Sequence, residues 1–233
     1  MELTVRDVSR LLKVSEKTVY RWITQGKLPG YRVNEQFRFN RAELLEWANA
    51  NRINVSSELF TEPESRGGAL PGLEAALRAG GIHYRLNGKD KAEVLRAVVE
   101  VMPLPREVDR EFLLRVLLAR ESLQSTGIGD GIAIPHPRSP ILLHITEPQI
   151  TLCFLDHPVE FEAMDGRPVS ALFSLVSPVA RAHLHLLSRV AFGLHDEAFK
   201  KLIREQAGRE EILAAARGLD AAISQRPTTG GEA

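Results

Sequence analysis

Cysteine is nearly absent. Cys153, inside the apolar run ITLCFL, is the only one in 233 residues. A disulfide within the chain is thereby excluded, and the residue reads as a buried small side chain in a reducing compartment. Long hydrophobic runs are missing as well. No stretch approaches the ~18 consecutive apolar residues of a membrane helix, and the opening MELTVRDVSRLLKV has no apolar core of signal-peptide length. A cytoplasmic protein with no membrane partner is expected. Net charge is missing too: 30 Lys+Arg balance 30 Asp+Glu, so only the distribution of charge can point to a partner. There is no His-x-x-x-His pair, and His183 and His185, two apart on a helical pattern, face different ways. Without a converging ligand set, neither metal nor cofactor is expected. The Gly-x-Ser-x-Gly elbow of serine hydrolases is also absent.

What is present begins with three helix starts written in one grammar. Thr4 can cap a helix over Val5–Leu12, with Asp7 three residues on. Ser15 can cap one over Glu16–Gln25, which Gly26 ends. Asn40, with Glu43 three later, can cap one over Arg41–Ala50. Leu3/Val8, Val14/Val19 and Phe39/Leu44 stand where hydrophobic staples belong. Between the second and third helices, Tyr31, Val33, Phe37 and Phe39 alternate with polar residues around NEQ, as a hairpin does. Helix, tight turn, helix, hairpin, helix makes a winged helix-turn-helix over residues 1–50. From Lys17 to Arg41 the bases Lys17, Arg21, Lys27, Arg32, Arg38 and Arg41 meet one acid, Glu35, so this face is a candidate phosphate-contacting surface. In such a motif the second helix enters the major groove by its N-terminal residues. Lys17, Thr18, Tyr20 and Arg21 are the candidates there, with Arg32 and Arg38 on the wing. The stretches VSEKTVYRWI, GKLPGYRV and FRFNRAELLEW resemble the excisionase-like and MerR-like helix-turn-helix family, which implies binding to double-stranded DNA. One such module makes a small interface, so useful affinity would need a homodimer or a neighbouring module.

From Asn51 to Pro71 the periodicity fails, and TEPESRGGALPG reads as a flexible linker over 51–71. A second domain follows over 72–226, with a disordered tail at 227–233. KAEVLRAVVEVM, REVDREFLLRVLLARE, RAHLHLLSRVAFGLH, EAFKKLIREQ and REEILAAARGLDAAI have helical spacing, whereas QITLCFL and PVSALFSLV are apolar runs of strand length. Helices and strands mix without strict alternation. The fold class is α/β: a small winged helix-turn-helix domain plus an α/β domain with a mixed sheet flanked by helices.

The stretch GIAIPHP, residues 131–137, carries the chemistry. A residue before proline is pushed out of the helical region, so Pro135 and Pro137 hold Ile134 and His136 extended. Each proline also fixes its own φ. One imidazole is therefore presented in a stiff direction, as a ligand, a base or a nucleophile. A neutral imidazole can attack phosphorus, and the product needs cations or hydrogen-bond donors nearby.

ESLQSTGIGDGIAIPHPR resembles the active-site signature of enzyme IIA of the phosphoenolpyruvate-dependent phosphotransferase system, of the fructose, mannitol and nitrogen-regulatory class. The acidic Glu121, then IG, then IAIPH match that pattern. The likeness runs from about Leu73 to Ile223, and AMDGRPVSALFSLVSP and HLHLLSRVA look most like nitrogen-regulatory members. The resemblance implies that His136 accepts a phosphoryl group from a histidine-phosphorylated carrier protein, aided by Arg120 and His183, with His185 a rival for the second-histidine role. Read from spacing alone, Arg120 is a cation at a helix C-terminus and His183 a hydrogen-bonded helix histidine. The family usually has a small residue, commonly glycine, after the histidine. Pro137 stands there and removes a backbone donor, with Arg138 next in line. The combined expectation is a DNA-binding regulator reporting phosphotransferase status through His136. Its alternatives are a phosphocarrier serving a sugar permease and an unphosphorylated docking or sensing module.

Overall fold

A computed structural model describes residues 2–28, 30–33, 36–40, 44, 47–48, 51, 53, 70–137 and 147–224. Most of the expected linker, Arg138 and the C-terminal tail lie outside the described residues.

The N-terminal part opens with a short strand, β1 (Glu2–Thr4), followed by α1 (Val5–Leu11) and α2 (Glu16–Thr24). A hairpin of β2 (Tyr31–Val33) and β3 (Gln36–Asn40) comes next. Thr4 and Asp7 form a reciprocal capping box on α1. Ser15 caps α2 through the Thr18 N–H, and Gly26, at φ +64°, turns the chain out of that helix. Of the expected third helix, Leu44, Trp47 and Ala48 are helical and buried; the rest of it lies outside the described residues. The hairpin is as expected, but β1 was not anticipated. It pairs antiparallel with β3, Leu3 opposite Phe39, giving the order β1-β3-β2. Three residues are too few to show an alternation, and only the partner strand makes them a strand. Val8, Val19 and Phe39 fill the centre of this core at 0% exposure, and the rings of Trp22 and Trp47 meet at 5.2 Å.

The second part consists of α3 (Leu73–Gly80), β4 (Ile82–Leu86), α4 (Lys91–Val101), α5 (Arg110–Leu123), β5 (Gly127–Gly129), β6 (Ile132–Ala133), β7 (Gln149–Val159), β8 (Val169–Val176), α6 (Ala180–His195), α7 (Glu197–Arg204) and α8 (Arg209–Ser224). The sheet order is β4-β7-β8-β6-β5. The β4/β7 and β6/β8 pairs are parallel, while β7/β8 and β5/β6 are antiparallel, so the sheet is mixed as expected. The apolar runs of β7 and β8 serve two cores at once. Ile150, Leu152, Phe154, Phe173 and Leu175 pack with α3, α6, α7 and α8. Cys153, Leu155, Leu172 and Val176 pack with α4 and α5 on the opposite face. A strand buried on both faces reads as a continuous apolar run for this reason.

Helix α3 lies so close to β7 that a Cβ on Gly80 would stand 2.2 Å from the Ile150 carbonyl oxygen. Gly80→Ala is therefore expected to lower stability by about 1–3 kcal/mol. Urea unfolding followed by far-UV circular dichroism is the suitable readout, because both tryptophans, Trp22 and Trp47, lie in the N-terminal part.

Those tryptophans make fluorescence a reporter of the smaller domain. The Thr4 hydroxyl and N–H, donating to Asp7, hold its carboxyl below the ordinary aspartate value, with Arg10 and Arg6 adding to the effect. A depressed folded value gives stability that is fully present above the unfolded value, about pH 4, and lost as pH falls through the folded value. Asp7→Ala is expected to lower tryptophan-monitored stability at neutral pH by about 0.3–1 kcal/mol and to flatten its acid limb. An unchanged acid limb would refute this assignment.

Candidate functional site

The segment leading to His136 starts with a turn in an uncommon conformation. Gly129, Asp130 and Gly131 have φ of +94°, +54° and +74°, all left-handed. Glycine adopts this readily and aspartate less so. Asp130 is held there from outside: its N–H donates to Asp165 Oδ2 at 2.8 Å, and its carboxylate faces Arg167 Nη1 at 3.5 Å and Lys200 Nζ at 3.4 Å. The Gly131 carbonyl accepts from the Ser170 and Ala171 N–H groups at 2.8 and 3.1 Å, which seats the turn against β8. The chain then runs alongside β8, with Ile132 opposite Ala171 and Ala133 opposite Leu172. Beyond β6, the Ile134 N–H donates to the Thr126 carbonyl at 3.0 Å, and the Pro135 carbonyl accepts from the Leu175 N–H at 3.1 Å.

His136 thus arrives on a stretch anchored from both sides, and it is only 2% exposed. Its Nδ1 lies 2.6 Å from the Ile134 carbonyl oxygen. A carbonyl can only accept, so in the neutral ring Nδ1 carries the proton and Nε2 the lone pair. His183, in the first turns of α6 and 4% exposed, brings its ring to 5.1 Å from the His136 ring, at 48°. His185 goes elsewhere: its Nε2 meets the Pro71 carbonyl at 2.9 Å. Burial, and then the nearby Arg189, push His185 below the ordinary histidine value. Two residues along a helix are ~200° apart, so α6 brings only one of this pair to His136, and it is His183.

Arg120 occupies the last turn of α5, half-buried, and its Nη1 donates to the Gln124 carbonyl at 2.8 Å. This is the C-terminal cation position that its spacing suggested. Its neighbour Glu121 is 6% exposed and accepts from the Thr126 N–H and hydroxyl at 3.0 and 2.6 Å. Thr126, Asp130 and Lys200 were not singled out from sequence. Asp130 and Lys200 find their partners on distant elements, whereas Thr126 meets Glu121 only five residues away but on no repeating pattern. Cys153 takes no part: burial pushes its thiol up to about 12. Among the described residues no group of three or more His, Cys, Asp or Glu could hold a metal ion, and no helix is long and apolar enough to cross a membrane.

In the N-terminal domain the expected nucleic-acid contacts divide. Lys17, Tyr20 and Arg21 are exposed on α2, while Val19 points into the core. The Tyr20 ring packs edge-on against Phe37 at 6.2 Å, tying α2 to the hairpin. The Thr18 hydroxyl bonds the Ser15 hydroxyl at 2.9 Å and belongs to the cap. Arg38 is half-buried, its guanidinium on Gln36 Oε1 at 2.8 Å and the Phe37 carbonyl at 3.3 Å. Arg32 lies on β2 opposite Phe37; its side chain is outside the described part.

Comparison with known proteins agrees with both halves. Residues 76–217 match the family described as phosphoenolpyruvate-dependent sugar phosphotransferase system, EIIA 2, and residues 2–52 match a helix-turn-helix domain. The chain is 41% identical over 123 residues to the nitrogen regulatory protein of Pseudomonas aeruginosa, covering 51% of this chain and 77% of that one. It is 33% identical over 131 residues to the nitrogen regulatory protein of Escherichia coli K12, covering 55% and 78%. Nitrogen regulatory protein IIA-Ntr from Neisseria meningitidis superposes with a TM-score of 0.51 at 28% identity, over 58% of this chain and 92% of that one. The chain therefore belongs to the EIIA 2 family of the phosphoenolpyruvate-dependent sugar phosphotransferase system, and carries a helix-turn-helix domain at its N-terminal end.

Proposed function

We propose that this protein is a cytoplasmic DNA-binding regulator of the nitrogen-regulatory type, whose IIA domain accepts a phosphoryl group on Nε2 of His136. Residues 51–71 connect the two domains, and double-stranded DNA and a histidine-phosphorylated carrier protein are the partners, with a homodimer as the DNA-binding form. The observation that carries the reading is the His136 imidazole: nearly inaccessible to water, fixed through Nδ1 on a carbonyl, and packed beside a second buried histidine.

The step is a displacement at phosphorus. The Nε2 lone pair attacks, an N–P bond forms, and the N–P bond to the carrier's histidine breaks with its electron pair returning to that ring. Nδ1 keeps its proton throughout and donates a hydrogen bond to the Ile134 carbonyl, which favours the positive character the ring gains. His183 would donate a hydrogen bond to the phosphoryl oxygens. The role of Arg120, a cation for the same oxygens, rests on the family resemblance, and its position one turn from Gln124 leaves the guanidinium near the end of α5. Pro137 is buried with His136 and adds stiffness in place of the missing donor. In the other domain, Lys17 and Arg21 project from the helix that would enter the major groove. A phosphoryl group on His136 then changes docking, dimerisation or DNA affinity through its added charge.

Two measurements test the reading. Incubation with phosphoenolpyruvate, enzyme I and the phosphorylatable carrier should add one acid-labile phosphoryl group to the protein by intact mass, and none to His136→Ala. Failure of the wild type, with donors shown active on another IIA protein, would overturn the acceptor role and leave a docking module. Binding to genomic fragments should weaken steadily with salt, and Lys17→Ala or Arg21→Ala should each reduce the log–log salt slope by about 1. Lack of binding across the salt series would overturn the DNA reading.

A further inference from the structure

We infer that Glu121 and Thr126 are positioning residues for His136, acting through a continuous run of hydrogen bonds that ends on its imidazole. The functional meaning of this run rests on the acceptor reading above. Glu121 Oε2 accepts from the Thr126 N–H at 3.0 Å and from the Thr126 hydroxyl at 2.6 Å. The Thr126 carbonyl accepts from the Ile134 N–H at 3.0 Å. The Ile134 carbonyl accepts from His136 Nδ1 at 2.6 Å. Glu121, Thr126, Ile134 and His136 are all buried, so no link competes freely with water.

The carboxylate is a poor choice for packing alone. An apolar residue of similar volume generally serves stability as well as a buried charge or better. Glu121 is compensated by Lys91, whose Nζ stands 3.7 Å from Oε1, is shared with Glu162 at 3.3 Å and lies over the Phe161 ring at 5.9 Å. What an ionised carboxylate does here, and an apolar residue cannot, is accept two donors of one residue on a single oxygen. That fixes the backbone and the side chain of Thr126 together, directly before β5.

The consequence falls on Ile134. Thr126 holds its N–H from the β5 side, while β8 holds the next peptide through Leu175 and the Pro135 carbonyl. The Ile134 carbonyl between these anchors has little freedom to turn away from Nδ1. It therefore selects the tautomer with the lone pair on Nε2 and sets the plane of the ring.

The test uses full-length protein and reads both the ring and the reaction. In long-range ¹H–¹⁵N spectra of ¹⁵N-labelled protein, wild-type His136 should show one tautomer, protonated on Nδ1. Glu121→Gln, which keeps an acceptor for Thr126, should preserve that signature and a transfer rate close to wild type. Glu121→Ala should give mixed tautomers and slow phosphoryl transfer from the carrier by roughly tenfold to a hundredfold. Thr126→Val, nearly isosteric, removes one of the two donors and should fall between them. A folded Glu121→Ala with wild-type ring signals and rate would overturn the proposal. If Glu121→Ala does not fold, Thr126→Val decides by the same criteria. A wild type that takes no phosphoryl group, while its variants still lose the single tautomer, would overturn the acceptor reading and uphold the positioning role.

Discussion

The pairing of Ile132 and Ala133 with Ala171 and Leu172 of β8 is a short piece of parallel sheet on which the whole site hangs. Ile132 faces one core and Ala133 the other. A slip of one residue would exchange them, placing a large side chain where a small one fits and the reverse. The pleat thus enforces the register without help from strand length. The two ends add to it: the Gly131 carbonyl is taken by Ser170 and Ala171, and the Pro135 carbonyl by Leu175. With the chain fixed from Gly131 to Pro135, the direction in which His136 leaves the sheet is fixed too. The prolines on either side limit what little backbone freedom remains.

The two domains use charge in opposite ways. Around His136 the imidazoles are withdrawn from water, so a charge arriving there would meet fixed dipoles and a neighbouring histidine in place of solvent. On α2 of the helix-turn-helix domain, Lys17 and Arg21 stay exposed over a core built on Val19. Charges of that kind act at the range of the Debye length and are screened by salt. A buried site suits selection of one reacting atom, and an exposed cationic face suits contact with a phosphate backbone.

Legibility in the sequence followed the range of the interactions. The caps at Thr4 and Ser15 were readable because capping partners lie three residues apart. The strands β7 and β8 were readable because burial on both faces writes an apolar run. Helix α3 was not anticipated. It is short, and its first N–H groups are satisfied by Asp220, 147 and 146 positions away, at 2.8 and 3.0 Å. Strands β1, β5 and β6, of two or three residues each, carry no period of their own and exist through their partners. Strand β4, five residues between α3 and the apolar pattern of α4, is too short to write a period of its own. At the site the same rule held. The stiffness of His136 was legible from its prolines, whereas Lys200, which meets Asp130 from a distant helix, was silent.

The sequence by itself determined that one imidazole would be held stiffly between two prolines after a glycine-rich turn, and that His183 and His185 would part company around a helix. Those are consequences of covalent geometry and helical pitch, which act over a few residues. The tertiary structure decided that His183 is the histidine packed against His136, that the Ile134 carbonyl sits on Nδ1 and leaves the lone pair on Nε2, and that the buried Glu121 carboxylate holds Thr126. The His136–His183 contact depends on which elements the two-sided sheet brings side by side; the other two bonds span two and five residues, but their geometry is set by the way Thr126 and β8 hold the segment, and that leaves no period in the chain from which it could be read.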